Sequence, residues 1–170
     1  MQWSLSCKRK GFGMADLFPG YVIDTNALID LWRRRYPRDV FPTLWQKFEG
    51  LIRSGELIAP QEVLNELERQ HDELHTWAKK QRCFKDLDRE QIECVKQILK
   101  AFPSLIDEKK TVPDADPFVI ALAIEKGWKV VSSENPAGMS ARKRIPDVCT
   151  HYKIVCLTLL EFFRDQHWNF

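Results

Sequence analysis

The chain has 170 residues, of which 44% are hydrophobic and 29% are charged, and its formal net charge is +2. This length suits one domain with a core of its own, and the composition excludes an intrinsically disordered chain. The small net charge excludes a uniformly basic nucleic-acid-binding protein, so any surface for RNA must be a local patch.

The pattern predicts a cytoplasmic protein without a membrane span. No run of about 18 apolar residues occurs, and the basic N-terminus lacks the apolar region of a secretory signal. The five cysteines are odd in number and include no C-x-x-C pair, which predicts reduced, mostly buried thiols. Residues 1–18 are expected to be an extension, either disordered or translated from an over-called start before Met14, and residues 19–170 a single domain.

The first half of the chain alternates short apolar runs with helical patterns. The predicted elements are a strand over 21–24, a helix ended by Pro37, a helix from Phe41-Pro42 to Ser54-Gly55, a strand over 57–59 and a helix over 61–69. Pro60 suits the first position of the last of these helices. Residues 72–100, with Phe84 among their apolar positions, predict about two charged helices that form an arm or lid.

The second half continues the alternation. Asp116 is expected to cap a helix in which Pro117 takes the first position and which Gly127 ends. The elements that follow are a strand over 128–132, a basic loop, a segment over 145–149 without assigned chemistry, a strand over 153–157 and a helix over 158–166. Strands that alternate with helices predict an α/β fold with a mainly parallel sheet.

Several carboxylates are predicted to meet at one edge of this sheet, because sites form outside the carboxyl ends of parallel strands. Asp24 ends the first strand, Glu134 follows the third, Asp116 precedes the third, and Glu62 and Glu66 follow the second. Like charges repel, so such a cluster indicates a hard divalent cation, for example Mg²⁺. Three or four acids around one or two such ions can hydrolyse a phosphate ester.

Each acid also has a purely structural interpretation. Asp24 and Asp116 are well placed to cap helices. Glu62 complements the positive end of a helix. Glu66 lies beside an apolar stripe, which is less typical of a surface acid although surface glutamates are common, and Glu134 taken alone fits a solvated loop position better. The functional interpretation therefore depends on the combination of acids and not on any one of them.

Four segments resemble, in order and spacing, the motifs of PIN domains. They are VIDTN at 22–26, EVLNEL at 62–67, ADPFVIALA at 115–123 and VVSSE at 130–134. In the second motif of PIN domains the metal ligand is the acid before a leucine, which selects Glu66 over Glu62. The fourth motif has Glu134 and Ser132 where PIN domains have Asp and Thr, so Glu134 is expected to bind metal directly or through water.

The resemblance to the PIN-domain superfamily, which includes the VapC-type toxins, implies a three-layer α/β/α sandwich and a Mg²⁺- or Mn²⁺-dependent ribonuclease. It further implies single-stranded or structured RNA as substrate, frequent homodimers, and either a toxin whose antitoxin partner blocks the acidic cleft or a stand-alone processing nuclease. The expected cleavage is in-line and leaves 5′-phosphate and 3′-hydroxyl ends, with Asp114 either assisting or serving as a loop acid. The implied metal-binding and catalytic residues are Asp24, Glu66, Asp116 and Glu134, supported by Thr25, Asn26 and Ser132.

An acidic metal site needs basic surroundings to hold an RNA backbone. The candidates are Arg33, Arg34 and Arg35 with Arg38, and Arg142, Lys143 and Arg144. For both clusters a solvated face is an equally good interpretation. Trp32, Tyr36 and Trp45 are candidates for base stacking, although the two tryptophans fall on apolar helix faces, which favours the core.

Two alternatives to a nuclease come from other functional classes. His71 and His75, four residues apart, resemble part of a zinc metalloprotease motif, with Asp72 where the general base would be Glu. A surface position on a charged helix is the simpler account of both histidines. The other alternative is a PIN-like module that binds RNA or protein without cutting, and the altered fourth motif is the feature that favours it.

Overall fold

The computed structural model describes residues 19–70, 72–106, 114–139 and 142–170. The N-terminal extension expected over 1–18 lies outside the described residues, as does His71. None of the helices within the described ranges is long and apolar enough to cross a membrane.

The described residues alternate strands with helices along the chain. The strands are β1 (Tyr21–Ile23), β2 (Leu57–Pro60), β3 (Phe84–Lys85), β4 (Lys129–Val131) and β5 (Cys156–Leu157). The α-helices are α1 (Thr25–Ile29), α2 (Pro42–Ser54), α3 (Gln61–Glu68), α4 (Glu73–Ala78), α5 (Arg89–Ala101), α6 (Asp116–Lys126), α7 (Ile145–His151) and α8 (Leu159–Asp165). A π-helical segment, Asp30–Arg35, continues α1, and a 3-10 turn covers Pro103–Leu105.

The strands form one parallel sheet in the order β3-β2-β1-β4-β5, which confirms the predicted parallel sheet. Val22 at the centre of β1 is in register with Ile58 on one side and Val130 on the other. From β1 the chain builds outward to β3 and then returns to the opposite side of β1 for β4. The crevice at the carboxyl ends of β1 and β4 is therefore a topological switch point, where open α/β sheets bind ligands.

Helices cover both faces of the sheet, which confirms the three-layer α/β/α architecture. On one face α6 packs against β1, β2 and β4, and α5 packs on α6. On the other face Phe162 of α8 contacts Tyr21 of β1 and Phe48 of α2, with ring centroids 4.8 and 6.5 Å apart. Because both faces are covered, the central strands are continuous apolar runs, and Val22 and Val130 are fully buried.

Glycine ends two of the predicted helices where expected. Gly55 follows α2 with φ 80° and Gly127 follows α6 with φ 68°. Both are left-handed conformations that glycine adopts without the steric cost of a Cβ atom. The backbone N–H groups of both residues bind the last carbonyls of their helices, so each helix stops at its glycine.

The segment over 72–100 contains the two expected helices, but it does not form an arm or lid. Phe84, predicted to be helical, lies in β3 and pairs with Ala59 of β2 at one edge of the sheet. Val95 and Ile98 of α5 are buried, and α5 packs on α6. The segment therefore completes the sandwich. A strand of two residues is too short to show an alternating pattern, so only its pairing with β2 defines it.

Other local predictions also need correction. Pro60 is the last residue of β2 and precedes α3, so it does not take the first helical position. The strand expected over 153–157 is limited to β5, because Lys153 has φ 57° and lies in the turn after α7. The segment over 145–149, to which no element was assigned, forms most of α7.

The cysteines follow the prediction in part. Cys83, Cys149 and Cys156 are free thiols, and the first two are buried. Cys94 is disulfide-bonded, so the expectation of reduced thiols is wrong for this residue. An odd number of cysteines and the missing C-x-x-C pair argue against a framework of bridges, but they do not exclude a single one.

Candidate functional site

Asp24 lies directly after β1 and joins two elements through its two carboxylate oxygens. Oδ1 accepts a hydrogen bond of 2.6 Å from the backbone N–H of Ala27, which caps α1 as the structural interpretation proposed. Oδ2 accepts one of 2.7 Å from the hydroxyl of Ser132, directly after β4. Asp24 and Ser132 are 2% and 1% exposed. The carboxylate thus does more than cap a helix, since it also connects β1 and β4 at the switch point.

Glu66 reaches the same edge of the sheet from α3. Its Oε2 accepts a hydrogen bond from the hydroxyl of Thr25, and its Oε1 accepts one of 2.9 Å from the backbone N–H of Ala115. These partners lie 41 and 49 residues away in the chain and adjoin Asp24 and Asp116. Glu66 therefore holds the first and third motif segments together.

Glu134 follows β4 and is oriented by α7. Its backbone N–H donates to the hydroxyl oxygen of Ser132 at 3.1 Å, and its Oε2 accepts from the backbone N–H of Ile145 at 3.0 Å. Asp147 of α7 accepts from the backbone N–H groups of Ala137 and Arg144 and so connects these two positions to the start of α7. The segment over 145–149, to which the sequence assigned no chemistry, thus determines where Glu134 lies.

Asp116 is the first residue of α6, and the prediction that it caps this helix is wrong. Ala115 occupies the cap position with helical backbone angles, and no side chain caps the helix. Pro117 accordingly takes the second helical position. None of the hydrogen bonds in the described ranges involves the Asp116 carboxylate. Its oxygens are therefore not occupied by a structural hydrogen bond within these ranges.

The charges of these acids act on one another. Burial raises the pKa of Asp24 to about 7, and the neighbouring charges of Glu134 and Glu66 raise it as well. Burial also raises the pKa of Asp116 well above its usual range, and the charges of Glu134, Asp24, Glu66 and Asp114 add to the effect. Asp114 itself is 5% exposed. The four motif acids therefore share one site, together with Asp114, whereas the acid whose charge acts on Glu62 is Asp86.

A cavity of about 260 Å³ opens beside this cluster. The predicted residues among its lining are Thr25, Asn26, Glu66, Asp116, Glu134 and Arg142. Arg69 and Gln70 also line it and were missed. Their spacing of three and four residues from Glu66 was an available signal, because such residues neighbour each other on a helix. A second cavity of about 380 Å³ shares Asp116, Glu134 and Arg142 and adds Lys143 and Arg144.

The two predicted basic clusters have different positions. Residues 142–144 line the second cavity, next to the acids. Residues 33–35 line neither cavity. Arg33 forms an ion pair with Asp72, and Arg34 and Arg35 lie 3.0 and 3.7 Å from Asp30. The structure therefore brings only the later cluster to the acidic site.

The aromatic residues proposed for base stacking belong largely to the core. Trp32 and Trp45 contact each other and Trp77, with ring centroids between 5.2 and 5.5 Å apart. Trp45 is 1% exposed, and its indole N–H donates to the backbone carbonyl of Tyr36 at 2.7 Å. The guanidinium of Arg38 lies over the rings of Trp32 and Trp45, which is a cation–π contact within the fold.

No group of three or more His, Cys, Asp or Glu side chains in the described ranges is arranged as ready-made metal ligands. His75, one half of the zinc alternative, is buried on α4 at 9% exposure. The acids Asp24, Glu66 and Glu134 hydrogen-bond to protein donors instead. Metal binding at the acids would therefore exchange some of these contacts for metal contacts.

The chemistry of the donor set nevertheless fits a hard divalent cation. The site offers carboxylate oxygens from Asp24, Glu66, Asp116 and Glu134, with the Thr25 hydroxyl beside them. Among the described residues that line the 260 Å³ cavity, none carries a thiol or an imidazole. Oxygen donors are those that Mg²⁺ and Mn²⁺ prefer. A cation would also relieve the repulsion that raises the pKa values of Asp24 and Asp116.

A family model described as "Domain of unknown function (DUF4411)" matches residues 21–170. The matched range includes all five strands and all four motif acids. No curated protein matches the chain.

Proposed function

The chain belongs to the DUF4411 family, whose description names no activity, and we propose from its site that it is a Mg²⁺- or Mn²⁺-dependent endoribonuclease. One observation carries the proposal. Asp24, Glu66, Asp116 and Glu134 come together at the switch point from four separate chain segments. The Ser132 hydroxyl connects Asp24 to the backbone of Glu134, and Glu66 accepts from the backbone N–H of Ala115, next to Asp116. Burial raises the pKa values of Asp24 and Asp116, and the charges of Glu134 and Glu66 add to both shifts. The resemblance of the four segments to PIN-domain motifs supports the same assignment.

The role of the protein's own groups is to hold these carboxylates in place. The Ser132 hydroxyl orients Asp24, the Ala115 N–H orients Glu66, and the Ile145 N–H orients Glu134. Partners of this kind tune metal ligands and restrict their movement. When bound among these oxygens, Mg²⁺ or Mn²⁺ would polarise the scissile phosphodiester and lower the pKa of the attacking water.

RNA is the proposed substrate, and the position of Arg142, Lys143 and Arg144 beside the acids supports it. Cations next to the acidic site would hold the phosphates on either side of the scissile bond. The products would carry 5′-phosphate and 3′-hydroxyl ends. The resemblance to PIN domains supports the finer proposal of a cytoplasmic, VapC-type toxin that has an antitoxin partner and forms homodimers.

A non-catalytic RNA- or protein-binding module is the second candidate. The observation that favours it is that protein donors already bind the oxygens of Asp24, Glu66 and Glu134, and that the acids are not arranged as ready-made ligands. The two candidates differ in one measurable respect, because a binding module would retain RNA without cutting it.

The test is cleavage of an end-labelled single-stranded RNA in Mn²⁺ or Mg²⁺. Asp116→Asn should reduce the rate by at least about 100-fold, because even partners of metal ligands are worth 10–100-fold. Asp39→Asn, at an exposed position in a turn, is the matched control and should cut normally. Products with 2′,3′-cyclic phosphates would contradict the mechanism. RNA binding without cutting, unaffected by Asp116→Asn, would favour the binding module.

A further inference from the structure

Two arginines reach the acidic cavity from opposite sides of β1. Arg69 follows α3, the helix after β2, whereas Arg142 lies in the loop after β4. Because β1 lies between β2 and β4 in the sheet, these residues come from the two flanks of Asp24. Both line the 260 Å³ cavity together with Glu66 and Asp116.

The acids make the cavity negatively charged, so binding of an anionic substrate there depends on the two arginines. A phosphodiester is an anion and is repelled by the acids unless cations accompany it. Within the described ranges, the cationic side chains that line this cavity are Arg69 and Arg142. A guanidinium binds phosphate oxygens through two parallel N–H donors, which fixes both distance and direction.

Both sides of the cavity are anchored to regular structure. On the Arg69 side, the chain after α3 is held by the hydrogen bond from Gln70 N–H to the Leu67 carbonyl, at 3.1 Å. On the Arg142 side, the backbone N–H of Lys143 donates to the Ser104 hydroxyl at 3.2 Å, and the next N–H, of Arg144, donates to Asp147 at 2.9 Å. The backbone from which each arginine extends is therefore held in place before a ligand arrives, which reduces the backbone entropy lost on binding.

The burial of the acids limits which form of RNA fits. Glu66, Asp116 and Glu134 are half-buried along the cavity, whereas Asp24 is 2% exposed and Asp114 is 5% exposed, so a scissile phosphate has to enter the cavity to approach the acids together. A duplex keeps its phosphates on the outside of a stiff cylinder, whereas a single strand bends into a concave site.

We propose that Arg69 and Arg142 bind phosphates on the two sides of the scissile one, so that the site takes a single RNA strand held across the acids. The proposal rests on the proposed nuclease function, for which the resemblance to PIN domains already implies single-stranded RNA as a substrate. It adds the two-sided phosphate contact and the residue Arg69, which the sequence did not single out. Lys143 and Arg144 line the second cavity, so they add phosphate contacts on the Arg142 side alone.

The test measures binding apart from cleavage, by fluorescence anisotropy of a labelled single-stranded RNA with the Asp116→Asn chain in Mg²⁺. Arg69→Ala and Arg142→Ala should each weaken binding about tenfold, as for the loss of one charge-assisted hydrogen bond. Each should also reduce the slope of log affinity against log salt by about 0.7 for every phosphate that the arginine no longer neutralises. Arg69→Lys keeps the charge and should recover part of the affinity. Arg53→Ala, which removes an exposed arginine at the end of α2, is the matched control and should bind normally.

The outcomes separate the two proposals. If the unaltered chain cuts RNA and Arg69→Ala binds it as tightly as Arg53→Ala does, the nuclease stands and the two-sided grip is refuted. Equal affinity for a duplex of the same sequence would refute the single-strand preference. If the unaltered chain neither binds nor cuts RNA, both proposals fail.

Discussion

The hydroxyl of Ser132 donates a hydrogen bond of 2.7 Å to Oδ2 of Asp24, across 108 positions of the chain. The same hydroxyl oxygen accepts the backbone N–H of Glu134 at 3.1 Å. One buried serine at the carboxyl end of β4 thus orients two of the four acids. It also lowers the pKa of Asp24 against the larger effect of burial, because a hydrogen bond to a carboxylate stabilises its ionised form.

The affinity of the site for Mn²⁺ should decrease as the pH falls through about 7. Burial raises the pKa of Asp24 to about 7, and a carboxylate must lose its proton before it binds a metal. Ser132→Ala removes a hydrogen bond that lowers this pKa, so the midpoint of the affinity loss should move to higher pH. Calorimetric Mn²⁺ titrations between about pH 5 and 9 test this, with Ser132→Thr as the control that keeps the hydroxyl. An affinity that does not depend on pH would contradict the role of Asp24.

Asp116→Asn should stabilise the metal-free protein at alkaline pH. Burial and the neighbouring acids raise the pKa of Asp116, so the folded state holds its proton more tightly than the unfolded state does. The free energy of unfolding therefore decreases as the pH rises above the unfolded-state pKa. The asparagine side chain of the variant is neutral at every pH, so the variant does not lose this free energy. The melting temperature at about pH 8 should rise on the order of 2–4 °C, the shift that 1 kcal/mol gives in a domain of this size. The difference should vanish towards about pH 3, where the carboxyl is neutral in the folded state and largely so in the unfolded state. An equal or lower melting temperature of the variant at pH 8 would argue against charge repulsion at the site.

Gly20→Ala should destabilise the fold by about 1–3 kcal/mol, the usual cost of overpacking. A Cβ atom at this position would lie 2.5 Å from ring atoms Cδ2 and Cε3 of Trp128, so the indole or β1 would have to move. Gly50→Ala is the matched control, since its Cβ would meet nothing closer than the Arg53 guanidinium at 3.9 Å. Because Gly50 lies within α2, that substitution should stabilise the protein by about 0.5–1 kcal/mol. Urea unfolding midpoints that shift in the same direction for both variants would contradict the packing argument.

Asp165→Asn should lower the free energy of unfolding at neutral pH, and the difference should disappear in acid. The Lys129 ammonium binds both Asp165 oxygens at 2.6 and 2.7 Å, and the Tyr21 hydroxyl donates to Oδ2 at 2.5 Å. The Lys129 hydrogen bond, followed by that of Tyr21, lowers the pKa of Asp165. The stabilisation is therefore present above the unfolded carboxyl pKa of about 3.9 and is lost as the pH falls through the lower folded value. The pair is partly exposed, so a loss of only about 0.5–1 kcal/mol is expected from denaturant unfolding at neutral pH. A difference between variant and parent that persists at about pH 2 would rule out the ionised Asp165 as its source.

The positions of the four motif acids could be predicted by combining local sequence pattern with a rule of sheet topology. Asp24 and Glu134 were expected at one edge because parallel strands present their carboxyl ends there, and both lie at the switch point. Their role as metal ligands stays a prediction. The spacing of three residues between Glu66 and Arg69 places them on one helix face, but the same spacing occurs for many exposed arginines and does not single out Arg69. Its significance comes from the cavity it shares with Glu66 and Asp116.

The sequence by itself determined the alternation of strands and helices, the glycine-terminated ends of α2 and α6, and the group of acids. These features depend on hydrophobic period and backbone stereochemistry, which act within a few residues. Tertiary structure decided that residues 84–85 form an edge strand and that α7 orients Glu134. It also decided that Arg33, Arg34 and Arg35 pair with nearby acids, while Arg142 lines the acidic cavity. A short strand, a carboxylate partner and a charged side chain all take their roles from groups distant in the chain, and those groups become neighbours only when the sheet is assembled.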